Sequence, residues 1–274
     1  MSSTPAEKIS QPAQLWLFRA LEAMLALGAG RLVEAEELVA QALALGERAQ
    51  PDVAIPVHAV QRYTLCDFRG TLEDVEPALR ELVLNYPARP VFRCTLARVY
   101  ARLARLPEAK RLFDELARDD FSGLPFDNEW LYGMSELAEA SALLGDTDAA
   151  AALYRLLLPW AALNAANPVE GIRGSVSRYL GILATATKHW KQAERHFENA
   201  VAMNQGMGAR PWVAHTKHDY ARMLAARDET TDRERALEQS AEALTTYREL
   251  GMNSWADAAS ELERALQPAS APPR

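Results

Sequence analysis

The sequence predicts an all-α protein, a right-handed superhelix of about six helix hairpins with a C-terminal capping helix. Helical periodicity runs through the chain, Pro or Gly interrupts it at regular intervals, and strand patterns are nearly absent. In addition, the signature Ala-x-x-x-aromatic recurs as Ala109…Phe113, Ala150…Tyr154 and Ala193…Phe197. Another small residue stands twelve positions before each of these alanines, namely Ala97, Ala138 and Gly181.

The spacing of the signature indicates helix-turn-helix repeats. Looser copies begin at Ala35, Val75 and Ala236, so that successive copies lie 34 to 43 residues apart. The small residues are expected where the two helices of a unit cross, and the aromatic residue one turn later fills the space towards the next unit. Because one unit cannot bury its apolar face alone, neighbours stack and form a concave surface. This organisation favours binding over catalysis.

Pro and Gly place the helices in order along the chain. We expect the first six at 12–27, 32–45 (ended by Gly46), 57–68 (opened by Pro56), 72–84, 91–103 and 107–117. The next six are expected at 128–144, 147–158, 175–186, 190–203, 212–226 and 234–250. A capping helix follows at 254–266, with Ser254 as its N-cap. Residues 160–174 are expected to form an irregular linker.

These elements predict one repeat domain at 12–266, a flexible N-terminus at 1–11 and a disordered tail at 267–274. The net charge of −7 and the absence of a basic stripe argue against direct binding of nucleic acid. Neither a signal peptide nor a membrane-spanning run is recognisable, which predicts a cytoplasmic location. Cys66 and Cys94 are expected to be small buried thiols, with a disulfide between neighbouring repeats as the alternative.

No motif in the sequence predicts catalysis. His215 and His218 are three residues apart beside Asp219, but a metal site needs further ligands. Nucleophile-elbow, zinc-protease and dinucleotide-binding patterns are missing. We therefore expect a protein that is not an enzyme, with no cofactor and no metal site.

Six tryptophans recur near helix starts or repeat joints: Trp16, Trp130, Trp160, Trp190, Trp212 and Trp255. Packing between repeats is their expected role. The alternative is that a few of them are exposed anchors for a partner.

The first helix of each repeat is expected to line the concave groove. Counted from the crossing residue, the groove-facing positions hold Arg98, Arg102, Glu139, Arg178, His215, His218 and Arg222. Two interpretations stay open: ordinary solvated charges, or a mostly basic groove that binds an acidic peptide or a carboxylate through arginine forks. For a binding groove, we expect removal of Arg98, Arg178 and Arg222 to leave the melting temperature almost unchanged.

The repeat pattern resembles the tetratricopeptide repeat over residues 12–266. Three segments are more specific: AERHFENAVAMNQGMGARPW at 193–212, DYARML at 219–224 and YRELGM at 247–252. They are similar to the C-terminal repeat region of MalT-like and LuxR-type transcriptional regulators and of ATPase-fused class III nucleotidyl cyclases. The phosphate loop G-x-x-x-x-G-K-[ST] of those ATPases is missing here, so only the repeat scaffold and its sensing or docking role carry over.

The resemblance implies a non-catalytic interaction scaffold, or the sensor arm of a bacterial signalling or regulatory system. Its partner in the concave groove would be a protein or peptide, with an acidic partner and a second copy of the chain both open, and without nucleic acid or membrane. Two alternatives remain. One is an effector-binding sensor domain of a transcriptional regulator or cyclase, and the other is a biosynthetic enzyme built on a repeat scaffold.

Overall fold

The computed structural model describes residues 12–267 of the chain. The expected flexible N-terminus 1–11 and residues 268–274 of the expected tail lie outside the described residues. Helices, with the short 3-10 turns included, make up 79% of the residues that the structure describes, which confirms the all-α class.

Fourteen helices follow one another within the described residues: α1 (Pro12–Ala29), α2 (Leu32–Ala49), α3 (Pro51–Arg69), α4 (Glu76–Asn85), α5 (Val91–Arg102), α6 (Leu106–Leu116), α7 (Arg118–Phe121), α8 (Trp130–Leu144), α9 (Thr147–Leu157), α10 (Val176–Ala186), α11 (Trp190–Gly206), α12 (Arg210–Arg227), α13 (Asp232–Glu249) and α14 (Asn253–Leu266). Short 3-10 turns lie at Leu72–Asp74 and Leu158–Trp160. Of these helices, α7 is a single distorted turn in which Asp119 and Asp120 have positive φ.

The predicted crossing residues lie where helices pack closely. Ala193 is fully buried, and a Cβ atom at Gly181 would lie only 2.7 Å from the Phe197 ring. The same Phe197 ring stacks on Tyr220 of α12, with ring centroids 5.6 Å apart. The small residue and the aromatic residue of this repeat therefore make the contacts that the pattern predicts.

Two predicted helix ends are wrong. Helix α2 continues through Gly46 to Ala49, because Gly46 is a packing position: a Cβ there would lie 2.5 Å from Trp16 Nε1 and closer still to Ala54 Cβ. Helix α3 begins at Pro51 rather than after Pro56, and Pro51 takes the first-turn position that proline favours. The buried Pro56 lies inside this helix.

The segment expected to be an irregular linker contains a β-hairpin. Strand β1 (Asn164–Asn167) pairs antiparallel with β2 (Gly171–Ser175), and a bulge between Asn164 and Ala166 interrupts the register. At Gly174, φ is +72° and a Cβ would lie 2.8 Å from the Trp212 Cβ atom, so glycine suits this close approach. The hairpin packs against helices on more than one side, since Gly171 faces Tyr132 of α8 and Ile172 faces Gly28 of α1.

The last helix of the described chain, α14, contacts the third helix, α3. Trp255 of α14 donates a hydrogen bond from Nε1 to the carbonyl oxygen of Asp67 in α3, at 2.8 Å. Gly70, which caps α3, packs on Ser254. Ser254 lies in the first turn of α14, which begins at Asn253. The prediction that Ser254 caps this helix is wrong, because Met252 holds the N-cap position.

Cys66 and Cys94 are buried free thiols, so the disulfide alternative is wrong. Burial raises the pKa of the Cys94 thiol. Among residues 12–267, no helix combines the length and the apolar character that spanning a membrane requires.

Candidate functional site

Five helices and one strand bring charged side chains together in the interior. The resulting group, here called the arginine–carboxylate cluster, consists of Asp67 on α3, Arg98 on α5, Glu136 and Glu139 on α8, Arg173 on β2, Arg178 on α10 and Asp219 on α12. None of these side chains is more than 10% exposed. The cluster therefore occupies the position at which an open groove was expected.

Glu139 is the centre of the cluster. Its Oε1 atom accepts hydrogen bonds from Arg173 Nη2 at 2.9 Å and from Arg178 Nη1 at 2.6 Å. Its Oε2 atom accepts a short hydrogen bond from Arg98 Nε. One carboxylate on α8 thus joins α5, α10 and the β-hairpin.

The arginines also bind acidic side chains on the flanking helices. Arg98 donates from Nη2 to Asp67 Oδ2 at 2.9 Å, and Arg178 donates from Nε to Asp219 Oδ2 at 2.9 Å. The Tyr63 hydroxyl accepts from Arg98 Nη1 at 2.6 Å. These contacts extend the cluster from α3 to α12.

The environments of the two buried glutamates, Glu136 and Glu139, shift their pKa values in opposite directions. Burial alone would raise the pKa of Glu139, but the charges of Arg98, Arg178 and Arg173 hold it well below its ordinary value. Burial raises the pKa of Glu136, and the charges of Arg173 and Arg98 offset only part of this effect. Glu139 therefore stays ionised at neutral pH and holds the three guanidinium groups together.

The expectation that the groove charges are solvated is wrong for three of the predicted residues. Arg98, Glu139 and Arg178 are only 1%, 7% and 3% exposed. They converge from α5, α8 and α10, and Arg173 of the β-hairpin joins them through Glu139. A buried charge must be paired, because moving a lone ion from water into the protein interior has a high free-energy cost that an ion at the solvated surface does not have.

Sequence reasoning missed Asp67, Glu136 and Arg173, and took Asp219 only as a neighbour of the histidines. A signal for part of the cluster was present. Arg98 lies 41 residues before Glu139, and Arg178 lies 41 residues before Asp219. Charges that alternate in sign at the repeat spacing predict ion pairs between neighbouring first helices. Arg173 had no comparable signal, since it lies in the unpredicted hairpin.

His215 and His218 are buried in an aromatic environment. His215 shares a 2.9 Å hydrogen bond between its Nδ1 and the Tyr247 hydroxyl, and its ring centroid lies 4.3 Å from that of Trp255. Burial lowers the pKa of His218 to about 4, and the Asp219 carboxylate offsets only part of this shift. Both imidazoles are therefore neutral at pH 7. Residues 12–267 contain no group of three or more His, Cys, Asp or Glu side chains arranged to hold a metal ion.

Arg102 and Arg222 are the predicted groove residues that reach solvent. They border a cleft of about 410 Å³, here called the groove mouth, which opens above the cluster beside Glu139, Asp219 and Trp255. A second cleft of about 550 Å³ shares Asp219 and Arg222 with it and continues along α10 and α12. The open part of the concave face is thus a short channel rather than a long groove.

The two arginines at the groove mouth have few partners. The Arg102 guanidinium lies 4.0 Å above the Trp255 ring, and its Nε is buried without a hydrogen-bond partner. Arg222 is 61% exposed, and its contact with Asp219 is 3.9 Å long. Both guanidinium groups therefore retain donors for a bound anion.

The six tryptophans differ in burial. Trp16, Trp212 and Trp255 are buried and pack between helices. Trp130 and Trp160 are half-buried, with ring centroids 6.4 Å apart, and both contact the 69% exposed Phe126. Trp190 is also half-buried.

No protein-family model and no curated protein matches the chain. Among solved structures, the chain is similar to BtubC (BKLC) from P. vanneervenii, at 18% sequence identity and a TM-score of 0.39. The match covers 79% of this chain and 95% of that chain.

Proposed function

We propose that this chain is a non-catalytic binding protein that holds an acidic group of a protein or peptide partner at the groove mouth. The observation that carries the proposal is the pair of underused arginines, Arg102 and Arg222, at an open cleft. Planar guanidinium groups bind carboxylates through two parallel hydrogen bonds. The carboxylates of the arginine–carboxylate cluster beneath them already have arginine partners. They therefore leave the guanidinium groups of Arg102 and Arg222 available for an acidic group of the partner.

The wall of the channel suits a peptide. Ile182 and Ala142 line both clefts, and Ala186 and Ala226 line the further one. These apolar side chains offer contacts for the rest of a bound segment, while the arginines fix its acidic group. A site with an apolar wall and a few convergent polar groups is the usual composition of binding sites.

The proposal includes the organisation of the stack. We infer six tetratricopeptide-like hairpins followed by the capping helix α14, supported by the crossing contacts at Gly181 and Ala193. The similarity of segments 193–212, 219–224 and 247–252 to bacterial regulators supports a sensor or docking role in a cytoplasmic regulatory system.

The test measures the fluorescence anisotropy of a fluorescein-labelled hexaglutamate peptide while the full chain is added at low salt. A labelled hexaglutamine peptide is the neutral probe. We expect hexaglutamate to bind, and Arg102→Ala with Arg222→Ala to weaken it by about 1–3 kcal/mol per arginine. The control is Arg111→Ala with Arg264→Ala, which removes two equally exposed arginines elsewhere. Equal affinity of the groove-mouth and control variants would refute the proposal.

A further inference from the structure

A separate cleft of about 590 Å³ lies between α9, α10 and α11. It shares no lining residue with the groove mouth. Its walls are the side chains of Ala151 and Ala184 and the ring of Tyr154, and its rim carries Arg155, Thr187, His189 and Gln192. Small-molecule sites usually combine apolar walls with a few placed polar groups, as this cleft does.

The wall behind Tyr154 is polar but uncharged. The Tyr154 hydroxyl lies 3.0 Å from His196 Nε2, and His196 is 5% exposed with no hydrogen-bond partner at Nδ1. His189, Gln192 and His196 are three and four residues apart, so they share one face of α11. Burial and the nearby Arg195 lower the pKa of His196 to about 4, which keeps the ring neutral at pH 7.

The rim of the cleft is positively charged. The Arg155 side chain is 65% exposed, and its contact with Asp120 is 3.5 Å long, at the limit of a hydrogen bond. The first turn of α11 begins at Trp190 without a side-chain cap. Uncapped N–H groups at a helix start favour a negative ligand group, and Gln192 of this turn lines the same cleft as Arg155.

We propose that this cleft binds a small planar aromatic acid. The aromatic ring would lie against Tyr154 between Ala151 and Ala184, and the carboxylate would face Arg155 at the rim. Such a ligand matches the apolar walls and the positively charged rim, and the wall residues Ala151, Tyr154 and Ala184 offer no partner for a second charge. The site is independent of the partner site at the groove mouth.

The experiment is a calorimetric titration of the full chain with 1-naphthoate, and with 1-naphthamide as the neutral probe of the same ring. We expect one site per chain and about tenfold tighter binding of the acid, because a charge-assisted hydrogen bond is about twice as strong as a neutral one. Arg155→Ala should remove this preference. Arg111→Ala, an equally exposed arginine on α6, should retain it.

A second variant tests the location of the site. Ala151→Leu fills the cleft from a half-buried position and should remove binding of both probes while circular dichroism shows intact helices. Arg102→Ala with Arg222→Ala should leave the naphthoate affinity unchanged. The proposal fails if naphthoate shows no saturable binding at millimolar concentration, if Ala151→Leu binds as the unmodified chain does, or if the groove-mouth variant alone loses binding.

Discussion

At the scale of single residues, the buried charges depend on one another. Glu139 accepts hydrogen bonds from Arg98, Arg173 and Arg178, and Arg178 also binds Asp219. Removing one member therefore leaves another charge buried without a partner. Such a loss costs about 3–5 kcal/mol, whereas an exposed ion pair contributes about 0–1 kcal/mol.

Two arginines of neighbouring helices should respond very differently to truncation. We expect Arg178→Ala to lower the free energy of unfolding by about 3–5 kcal/mol, because it leaves Asp219 and part of Glu139 unpaired in the interior. Arg222→Ala should change it by about 0.5 kcal/mol or less, because that side chain is 61% exposed. Urea denaturation of both variants measures the difference.

This prediction replaces the expectation that Arg98, Arg178 and Arg222 can be removed together without a change in melting temperature. The repeat register predicted that Arg98, Glu139 and Arg178 share one face, and their side chains meet in the arginine–carboxylate cluster. Their burial was not predictable, since it depends on a hairpin that the sequence pattern does not show. Nearly equal stability of Arg178→Ala and Arg222→Ala would mean that the cluster is solvated.

At the scale of elements, a glycine in a helix can be required by close packing or can be free of any packing constraint. The local sequence does not distinguish these two cases. Gly46 was expected to end α2, yet it lies inside the helix and permits close packing against Trp16 and Ala54. Gly206 lies in the last turn of α11, and no atom lies within 4 Å of the position that its Cβ would occupy. The first glycine is required by packing, whereas the second is not.

The same substitution at these two glycines should have opposite effects on stability. Alanine improves helix propensity by about 1 kcal/mol at either position. At Gly46 the added methyl overlaps Ala54 and Trp16, and overpacking of about 1–3 kcal/mol outweighs this gain. We therefore expect Gly46→Ala to lower the melting temperature and Gly206→Ala to raise it, as measured by thermal circular dichroism. A higher melting temperature for Gly46→Ala would contradict the packing described here.

At the scale of the whole molecule, early and late helices of the described chain share one core. Phe68 of α3, Trp212 of α12 and Trp255 of α14 belong to one apolar core. An open repeat array has contacts only between neighbouring units, so it can unfold from its ends. Here the first helices also contact the last ones.

This shared core should make unfolding cooperative. We expect urea unfolding followed by tryptophan fluorescence and by far-ultraviolet circular dichroism to give one transition with the same midpoint. The fluorescence comes from six tryptophans, of which Trp212 and Trp255 lie at the junction of early and late helices, and circular dichroism reports on all helices. Loss of the tryptophan signal before the loss of helix would contradict a single cooperative transition.

The sequence by itself determined the all-α class, the order of the helices and the small and aromatic residues at their crossings. These features depend on local periodicity and on side-chain size, which the chain carries directly. The tertiary structure alone decided the hairpin at 164–175, the burial of Arg98 and Arg178, and the contact between α3 and α14. Each of these depends on how helices that are far apart in the sequence are placed relative to one another. That placement is set by packing over many helix contacts, so no single segment of the sequence records it.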